Sequence, residues 1–303
     1  MITYFNGKGS HCSLMAVGLL FGLFILPASS VAEHRPTSPL ENRPFITVGS
    51  ELDYPPYAFV NESGNADGYS VDLIKAAAKE TGLILKFVTG PWNEVKGKLE
   101  QGEIDALPLV AYSTERDRYF DFSMMHTISH ANIFIRKKDS SLYQSHEDLR
   151  NKEVIAMRGD STHEYIKSNI ISDKIILTPT VADALKMLSE GRHDFVIAPK
   201  LPALLLLKEL EIDNVQPFGE PIDSYGKGYG FAVHKGDHEL LDHLNRGLVL
   251  VRASGEYDRI YDKWFGHIDP RLDPNSHHQR QRIGNTYSHQ FSLERHASSS
   301  GFS

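Results

Sequence analysis

The sequence LEQGEIDALPL occupies Leu99–Leu109, and the similar sequence LSEGRHDFVIA occupies Leu188–Ala198. Each stretch passes from the end of a helical pattern through a glycine stop, Gly102 or Gly191, to an acidic residue and an apolar strand. The chain has 303 residues, which is enough for two lobes of about 100–150 residues each. The recurrence therefore predicts two lobes of related build.

Around these stretches, from Pro44 to Gly266, short β-rich runs alternate with helical patterns. Such alternation is typical of parallel α/β layers. The predicted strands are Ile46–Gly49, Leu83–Val88, Ile104–Leu109, Val154–Met157 and Phe195–Ala198. The predicted helices include Val71–Glu80, Glu164–Ser168, Glu239–Ser254 and Glu256–Phe265.

We expect an α/β fold in which each lobe is a mostly parallel sheet flanked by helices and two crossover strands join the lobes. The strand-like segments Ala131–Arg136 and Tyr229–Val233 are the candidates for the crossings. The first lobe is predicted to contain residues 44–133 and 234–267, and the second lobe residues 134–233.

The N-terminus has the features of a cleaved signal peptide, residues 1–32. Its apolar run, Leu14–Leu26, is about 13 residues long, whereas a membrane-spanning helix needs about 20. Small residues at Ser30 and Ala32 favour cleavage before Glu33. Export to the periplasm is the expectation, and an uncleaved membrane anchor is the alternative. The polar tail, residues 268–303, lacks an apolar period and is predicted to be disordered.

Composition excludes several functional classes. The formal net charge of -7 has no single-sign block behind it, which argues against a nucleic-acid surface or a polybasic membrane patch. The one cysteine, Cys12, falls in the predicted signal peptide, so a cleaved chain has no disulfide and no thiol chemistry. With no nucleophile–base pair and no metal-ligand spacing in view, we expect no catalytic residues, no metal and no cofactor. A monomer with a small-molecule partner is the expectation.

The candidate site lies just after the predicted strands, because ligands of open parallel sheets bind beyond the carboxyl ends of the strands. Candidates in the first lobe are Glu51, Tyr54, Tyr57, Trp92, Tyr112 and Arg116. Candidates in the second lobe are Ser161, Thr162 and Lys200.

An anion site is the chemistry that these residues favour. Ser161 and Thr162 mark the start of a predicted helix, where free backbone N–H groups attract a negative charge. Arg116, expected on the facing lobe, presents a planar fork that matches a carboxylate. The alternative is that Ser161 only caps the helix and that Arg116 forms a surface ion pair with Asp117 or Asp121.

Several motifs, taken in order, resemble the family 3 extracellular solute-binding proteins of the polar amino-acid-binding type. They are Tyr54-Pro-Pro-Tyr57, Gly68-Tyr-Ser-Val-Asp72, Ser113-Thr-Glu-Arg116, Gly159-Asp-Ser-Thr-x-Glu164 and Tyr261-x-x-Trp264. The resemblance implies a periplasmic-binding-protein clamshell in which Arg116 binds the ligand α-carboxylate with help from Ser161 and Thr162. It also implies that Tyr54 and Trp92 wall the side-chain pocket.

This chain departs from the family pattern at the position of an acidic residue that pairs with the ligand amine, where it has Pro199. A buried ammonium without a partner costs several kcal/mol. Two alternatives follow. Glu51 or Asp53 replaces the missing acid, or the ligand lacks the amine and carries a further negative charge that Lys200 binds; each of these side chains is otherwise a solvated loop residue.

The resemblance implies a periplasmic receptor that closes on an amino acid or related organic acid for ABC-type uptake. A ligand-sensing module for a membrane histidine kinase or diguanylate cyclase is the alternative, because Pro91–Val95 and Ala198–Pro202 resemble such modules. A third hypothesis is an enzyme similar to cyclohexadienyl dehydratase. It is disfavoured because Ala203 stands where that enzyme has its catalytic glutamate.

Overall fold

The computed structural model describes residues 39–169, 171–222, 225 and 227–267, without the side chains of residues 146 and 227. The predicted signal peptide, residues 1–32, and the predicted disordered tail, residues 268–303, lie outside the described residues. Among the described helices, none has the length and apolar character needed to cross a bilayer.

The chain builds most of a first lobe, then a second lobe, and then returns to the first. The first pass comprises β1 (Ile46–Glu51), β2 (Asp53–Tyr54), β3 (Ala58–Val60), β4 (Ala66–Asp67), α1 (Tyr69–Glu80), β5 (Leu85–Gly90), α2 (Trp92–Glu100), β6 (Ala106–Ala111), β7 (Phe120–Phe122) and β8 (Thr127–Ser129). The second lobe comprises β9 (Ala131–Arg136), β10 (Val154–Met157), α3 (Ser161–Asn169), β11 (Ile175–Thr178), α4 (Val181–Ser189), β12 (Phe195–Pro199), α5 (Lys200–Glu209) and β13 (Val215–Phe218). The return comprises β14 (Lys227–His234), α6 (His238–Ala253) and α7 (Glu256–Phe265).

Each lobe has one main sheet with helices packed against it. The first sheet has the order β5-β1-β6-β14-β7, with β8 paired to β14, and the second has the order β11-β10-β12-β9-β13. In each sheet three strands are parallel, β5-β1-β6 and β11-β10-β12, and the strands at the other side join antiparallel. The expected two-lobed α/β fold is therefore present, with antiparallel partners where the chain crosses between lobes.

The crossings lie earlier in the chain than the predicted segments. Ala131–Arg136 is paired throughout with strands of the second sheet, and Tyr229–Val233 is paired with strands of the first. The second sheet thus begins at residue 131 instead of 134, and β14 joins the first sheet from residue 227 instead of 234. Hydrogen-bonded pairing fixes both segments inside their lobes, so the chain changes lobe at His130 and between β13 and β14.

The two repeated aspartates anchor equivalent strands. Asp105 Oδ2 accepts the backbone N–H of Thr47 at 2.7 Å, at the start of β1. Asp194 Oδ2 accepts the backbone N–H of Glu153 at 2.8 Å, just before β10. The glycine three residues before each aspartate has a φ of +70° or +85°, a left-handed conformation that ends the preceding helix and favours glycine. The recurrence in sequence therefore corresponds to the same local structure in both lobes.

The last helix, α7, packs on the first lobe through aromatic rings and one carboxylate. The rings of Tyr69 and Phe265 meet edge to face with centroids 5.1 Å apart. Asp72 accepts from Lys263 Nζ at 2.6 Å and from Trp264 Nε1 at 2.9 Å. These contacts fix the C-terminal helix on α1, as the sequence predicted for the helices after the second crossing.

Candidate functional site

Two strands of each lobe end where the predicted site residues begin. In the first lobe, β1 ends at Glu51 and β6 ends at Ala111; in the second, β10 ends at Met157 and β12 ends at Pro199. Carboxyl ends of parallel strands meet at one edge of a sheet, where ligands of this fold class bind. The side chains that follow these ends are therefore candidates for a common site.

Arg116 is the central side chain of this site and is only 2% exposed. Its Nε donates to Glu164 Oε1 at 2.9 Å, its Nη1 to the carbonyl of Ala111 at 3.1 Å and its Nη2 to the carbonyl of Gly159 at 3.2 Å. Burial lowers the pKa of Arg116, but Glu164 and then Asp160 outweigh burial and raise it. The guanidinium therefore stays charged and links the two lobes.

The surface ion pair considered for Arg116 is absent among the described contacts. Asp117 and Asp121 instead lie beside Lys235 Nζ, at 3.5 Å and 2.9 Å. The Arg116 side chain instead points inward, where it is buried and donates to Glu164, Ala111 and Gly159.

Trp92 and Ser113 add two further bonds between the lobes. Trp92 Nε1 donates to the carbonyl of Gly159 at 2.7 Å, and its ring lies 5.2 Å from the guanidinium carbon of Arg116. Ser113 Oγ donates to Glu164 Oε2 at 3.3 Å. Trp92 is the first residue of α2 and is buried. It therefore belongs to the first lobe, and its indole N–H donates to the second lobe.

The start of α3 differs from the open anion site that the sequence suggested. The backbone N–H of Thr162 donates to Asp160 Oδ2 at 3.0 Å, and Thr162 Oγ1 donates to the same oxygen at 2.6 Å. Ser161 Oγ donates to Asp160 Oδ1 at 3.4 Å. Asp160 is itself buried and caps the helix. Ser161 and Thr162 are thus at the site, but the expected free amide of Thr162 has an internal carboxylate as its partner.

Two buried tyrosines, Tyr225 and Tyr229, complete a hydroxyl cluster around Ser161. Ser161 Oγ is hydrogen-bonded to the Tyr225 hydroxyl and lies 3.2 Å from the Tyr229 hydroxyl. The two tyrosine hydroxyls are 3.3 Å apart. Burial raises the pKa of both phenols, and Asp160 contributes in the same direction. Both therefore remain neutral and act as hydrogen-bond donors and acceptors.

Glu51, at the end of β1, is 8% exposed, and its side-chain carboxyl has no hydrogen bond within the described part of the chain. Burial raises the pKa of its carboxyl well above the usual range; Asp160 and Asp53 raise it further, while Arg116 lowers it. The carboxyl thus interacts electrostatically with both a negative and a positive side chain of the site. It is a buried carboxyl that a cationic partner would stabilise in its charged form.

Four of the predicted residues remain to be placed, Tyr54, Tyr57, Tyr112 and Lys200. Tyr54 is buried beside the site, and its pKa is raised by burial and then by Tyr229 and Asp160. Tyr57 turns into the core, where its ring lies 5.6 Å from that of Phe265. Two more predicted residues, Tyr112 and Lys200, have no side-chain contact with Arg116, Asp160 or Ser161 among the described contacts. Tyr112 is 53% exposed and packs edge to face on Phe122, and Lys200 begins α5 with a half-buried side chain.

The structure therefore assembles Glu51, Tyr54, Trp92, Arg116, Ser161 and Thr162, and it adds four residues outside the predicted set, Asp160, Glu164, Tyr225 and Tyr229. Asp160 and Glu164 belong to the motif that follows β10, so their proximity to the site was visible in sequence. No group of three or more His, Cys, Asp or Glu side chains within the described residues could hold a metal ion.

Comparisons with known proteins agree with this architecture. The L-cystine-binding protein TcyJ of Escherichia coli K12 is 26% identical over 261 residues, which is 86% of this chain and 96% of the relative. A solved histidine kinase sensor domain with similarity to periplasmic binding proteins is 34% identical, with a TM-score of 0.69 over 75% of this chain and 98% of its own.

An ancestral arginine-binding protein solved with bound glutamine is 32% identical, with a TM-score of 0.68 over 74% of this chain and 99% of its own. Residues 46–267 match the model of the bacterial extracellular solute-binding proteins, family 3. This match covers both lobes, from β1 to the end of α7. The chain belongs to the bacterial extracellular solute-binding proteins, family 3.

Proposed function

We propose that this chain is an exported receptor that closes on a small carboxylate-bearing solute, an amino acid or a related organic acid, and presents it to an ABC-type transporter. Relatives named for binding cystine and arginine support an amino-acid ligand. Closure by a solute is a population shift, and it requires contacts from both lobes that an open form cannot make. Arg116, which reaches from the first lobe to Glu164 and Gly159 of the second, is the observation that carries this proposal.

The free hydrogens of Arg116 favour a carboxylate as the group that is bound. A guanidinium has five N–H groups, and three of them serve Glu164, Ala111 and Gly159. One hydrogen on Nη1 and one on Nη2 have no acceptor among the described contacts. Two such hydrogens suit a carboxylate, which accepts from both ends of a guanidinium fork.

Glu51 favours a solute that also carries an amine. Its carboxyl is buried and has no hydrogen bond within the described residues, and it interacts electrostatically with Asp160 and Arg116. An ammonium beside Glu51 would offset the cost of burying a carboxylate there, and Glu51 would then replace the acid that is absent at Pro199. The alternative is a solute with additional negative charge bound by Lys200. Lys200 is half-buried at the start of α5, and none of its described contacts is with Arg116, which gives that alternative less support.

Isothermal titration calorimetry with L-arginine, L-glutamine, L-cystine and succinate tests the proposal. We expect at least one amino acid to bind and succinate to bind more weakly. Arg116→Ala should weaken binding by at least about tenfold, because a buried charge partner is lost. Arg118→Ala is the matched control, since Arg118 lies in the same 3₁₀ turn but is exposed. Equal affinity of the Arg116 variant and the native protein would contradict the assignment.

A sensing role is the second candidate, and it rests on the 34% identity to a histidine kinase sensor domain. The two roles differ in the membrane partner that reads the closed form. Deleting the gene should abolish uptake of the radiolabelled solute if the partner is a permease. It should leave uptake intact and abolish a solute-dependent transcriptional response if the partner is a kinase.

Catalysis is not part of the proposed function. Ala203, at the position where the related dehydratase has its catalytic glutamate, is fully buried inside α5 and has only a methyl group. Incubation with prephenate should therefore give no turnover. We further propose a periplasmic monomer, for which N-terminal sequencing should find Glu33 first and light scattering should give the mass of one chain.

A further inference from the structure

Glu164 is a second-lobe carboxylate whose two oxygens both accept from the first lobe. Oε1 accepts from Arg116 Nε at 2.9 Å, and Oε2 accepts from Ser113 Oγ at 3.3 Å. Glu164 lies in the first turn of α3, where the helix dipole favours a negative charge. Its side chain is 22% exposed, whereas that of Arg116 is 2% exposed, so the ion pair is largely shielded from water.

The carbonyl of Gly159 accepts two more bonds from the first lobe, from Trp92 Nε1 at 2.7 Å and from Arg116 Nη2 at 3.2 Å. Four hydrogen-bond donors of the first lobe therefore bind two acceptors of the second lobe, the Glu164 carboxylate and the Gly159 carbonyl, which are five residues apart. Gly159 has a φ of +72°, a conformation that directs its carbonyl and that residues with a Cβ rarely adopt. These bonds join the lobes directly.

The orientation of Arg116 depends on this set of partners. Glu164 takes Nε, and the carbonyls of Ala111 and Gly159 take one hydrogen of each terminal nitrogen. A planar group held at three nitrogens cannot rotate about its Cδ–Nε bond without breaking two or more of these bonds. The remaining hydrogens of Nη1 and Nη2 are thereby kept in one direction.

We infer that Glu164 is a positioning residue that fixes the solute-binding fork of Arg116 and latches the two lobes together. The inference rests on the proposed function of Arg116 and goes beyond it. Closing the lobes brings Glu164 to Nε of Arg116, so the fork becomes rigid only when the second lobe arrives. Ser113 supports the latch through the second oxygen of the same carboxylate.

Two measurements on the full chain test the latch. Spin labels at Ile84→Cys in the first lobe and Leu142→Cys in the second, both exposed positions, report the distance between lobes by pulsed electron resonance. The one native cysteine, Cys12, lies in the predicted signal peptide, and Cys12→Ser removes its thiol from any chain that is not cleaved. Without added solute, Glu164→Ala should shift the distances to longer values than in the parent. Unchanged distances would overturn the latch, whether or not any solute is found to bind.

Calorimetry with L-arginine, L-glutamine and L-cystine tests the positioning role. Glu164→Ala should weaken binding about ten- to hundredfold, because Arg116 loses a largely buried partner. Glu164→Gln keeps an acceptor for Nε and should fall between the alanine variant and the native protein. Tighter binding by either variant would mean that Glu164 competes with the solute for Arg116 and would overturn the inference.

The control is Glu190→Ala, which removes an exposed ion pair with Arg192 inside the second lobe. It should change neither the distances nor the affinity. Ser113→Ala should lengthen the distances less than Glu164→Ala, and the double variant should not exceed Glu164→Ala alone, since both residues act through one carboxylate. Additive effects would contradict a single latch. If neither an amino acid nor succinate binds the native protein, the proposed function fails while the distance measurement still decides the latch.

Discussion

Trp92 and Gly159 are joined by a 2.7 Å hydrogen bond from the indole Nε1 to the carbonyl oxygen, so the first residue of α2 in one lobe is tied to the turn before α3 in the other. The same carbonyl accepts from Arg116. The tryptophan therefore contributes a direct bond between the lobes.

Replacing Trp92 with phenylalanine removes the N–H and keeps one aromatic ring, so it tests the hydrogen bond more selectively than Trp92→Ala does. A neutral hydrogen bond contributes about 0.5–1.5 kcal/mol. We therefore expect Trp92→Phe to weaken amino-acid binding about two- to tenfold in calorimetry, with a smaller change in melting temperature than Trp92→Ala. Native affinity in the phenylalanine variant would show that the bond adds nothing to closure.

Replacing Arg116 with lysine tests the shape of the guanidinium separately from its charge. Lysine keeps a positive charge but loses the planar fork that serves Glu164, Ala111 and Gly159 together. We expect Arg116→Lys to bind the amino acid at least about tenfold more weakly than the native protein. Native affinity of this variant for the amino acid would indicate that a positive charge alone suffices for binding.

Stability should depend on the ionisation of Asp53. Burial raises the pKa of Asp53 to about 6, with Glu209 and Asp183 adding to the rise and Lys186 opposing it. The folded state then binds a proton more tightly than the unfolded state between about pH 4 and 6, so this group makes the protein less stable as pH rises through that window.

Asp53→Asn removes this titrating group and keeps the shape of the side chain. In thermal unfolding scans from pH 4 to 8, we expect the difference in melting temperature between Asp53→Asn and the native protein to grow in favour of the variant as pH rises to about 7. A difference that is constant across this range would show that Asp53 does not titrate there.

Packing of α6 on α1 depends on Gly247. A Cβ at this position would lie 2.2 Å from the backbone oxygen of Ala77, so Gly247→Ala forces the helices apart. We expect a loss of about 1–3 kcal/mol in the free energy of unfolding, measured with urea. Gly97→Ala in α2 is the matched control, because nothing lies within 4 Å of its Cβ; it should stabilise by about 0.5–1 kcal/mol.

Sequence reasoning predicted the fold where local rules act without a competing tertiary contact. The helix stops at Gly102 and Gly191 and the strands after Asp105 and Asp194 follow from turn chemistry and apolar runs, and all of them are present. The side chain of Thr180 caps α4 by accepting the N–H of Asp183 at 3.1 Å. The crossings were misplaced because strand character does not reveal which sheet a strand pairs with.

Only part of the site could be predicted from the sequence. Position after a strand indicates that a residue is near the site edge, but not where its side chain points. The hairpin of β2 and β3 turns Tyr57 into the core, where it contacts the ring of Phe265, and leaves Tyr54 beside the site. Asp160 was not recognised as the cap of α3, because a side chain that bonds its own turn depends on backbone geometry that spacing does not contain.

The position of β14 has a consequence for the order in which the two lobes form during synthesis. The second sheet is built entirely from one continuous segment, residues 131–218, whereas the first sheet needs β14 between β6 and β7. During synthesis from the N-terminus, the second lobe can therefore be completed first. At that stage the sheet of the first lobe still lacks the strand between β6 and β7. Until Lys227–His234 arrives, the exposed edges of β6 and β7 are the segments most in need of protection from aggregation.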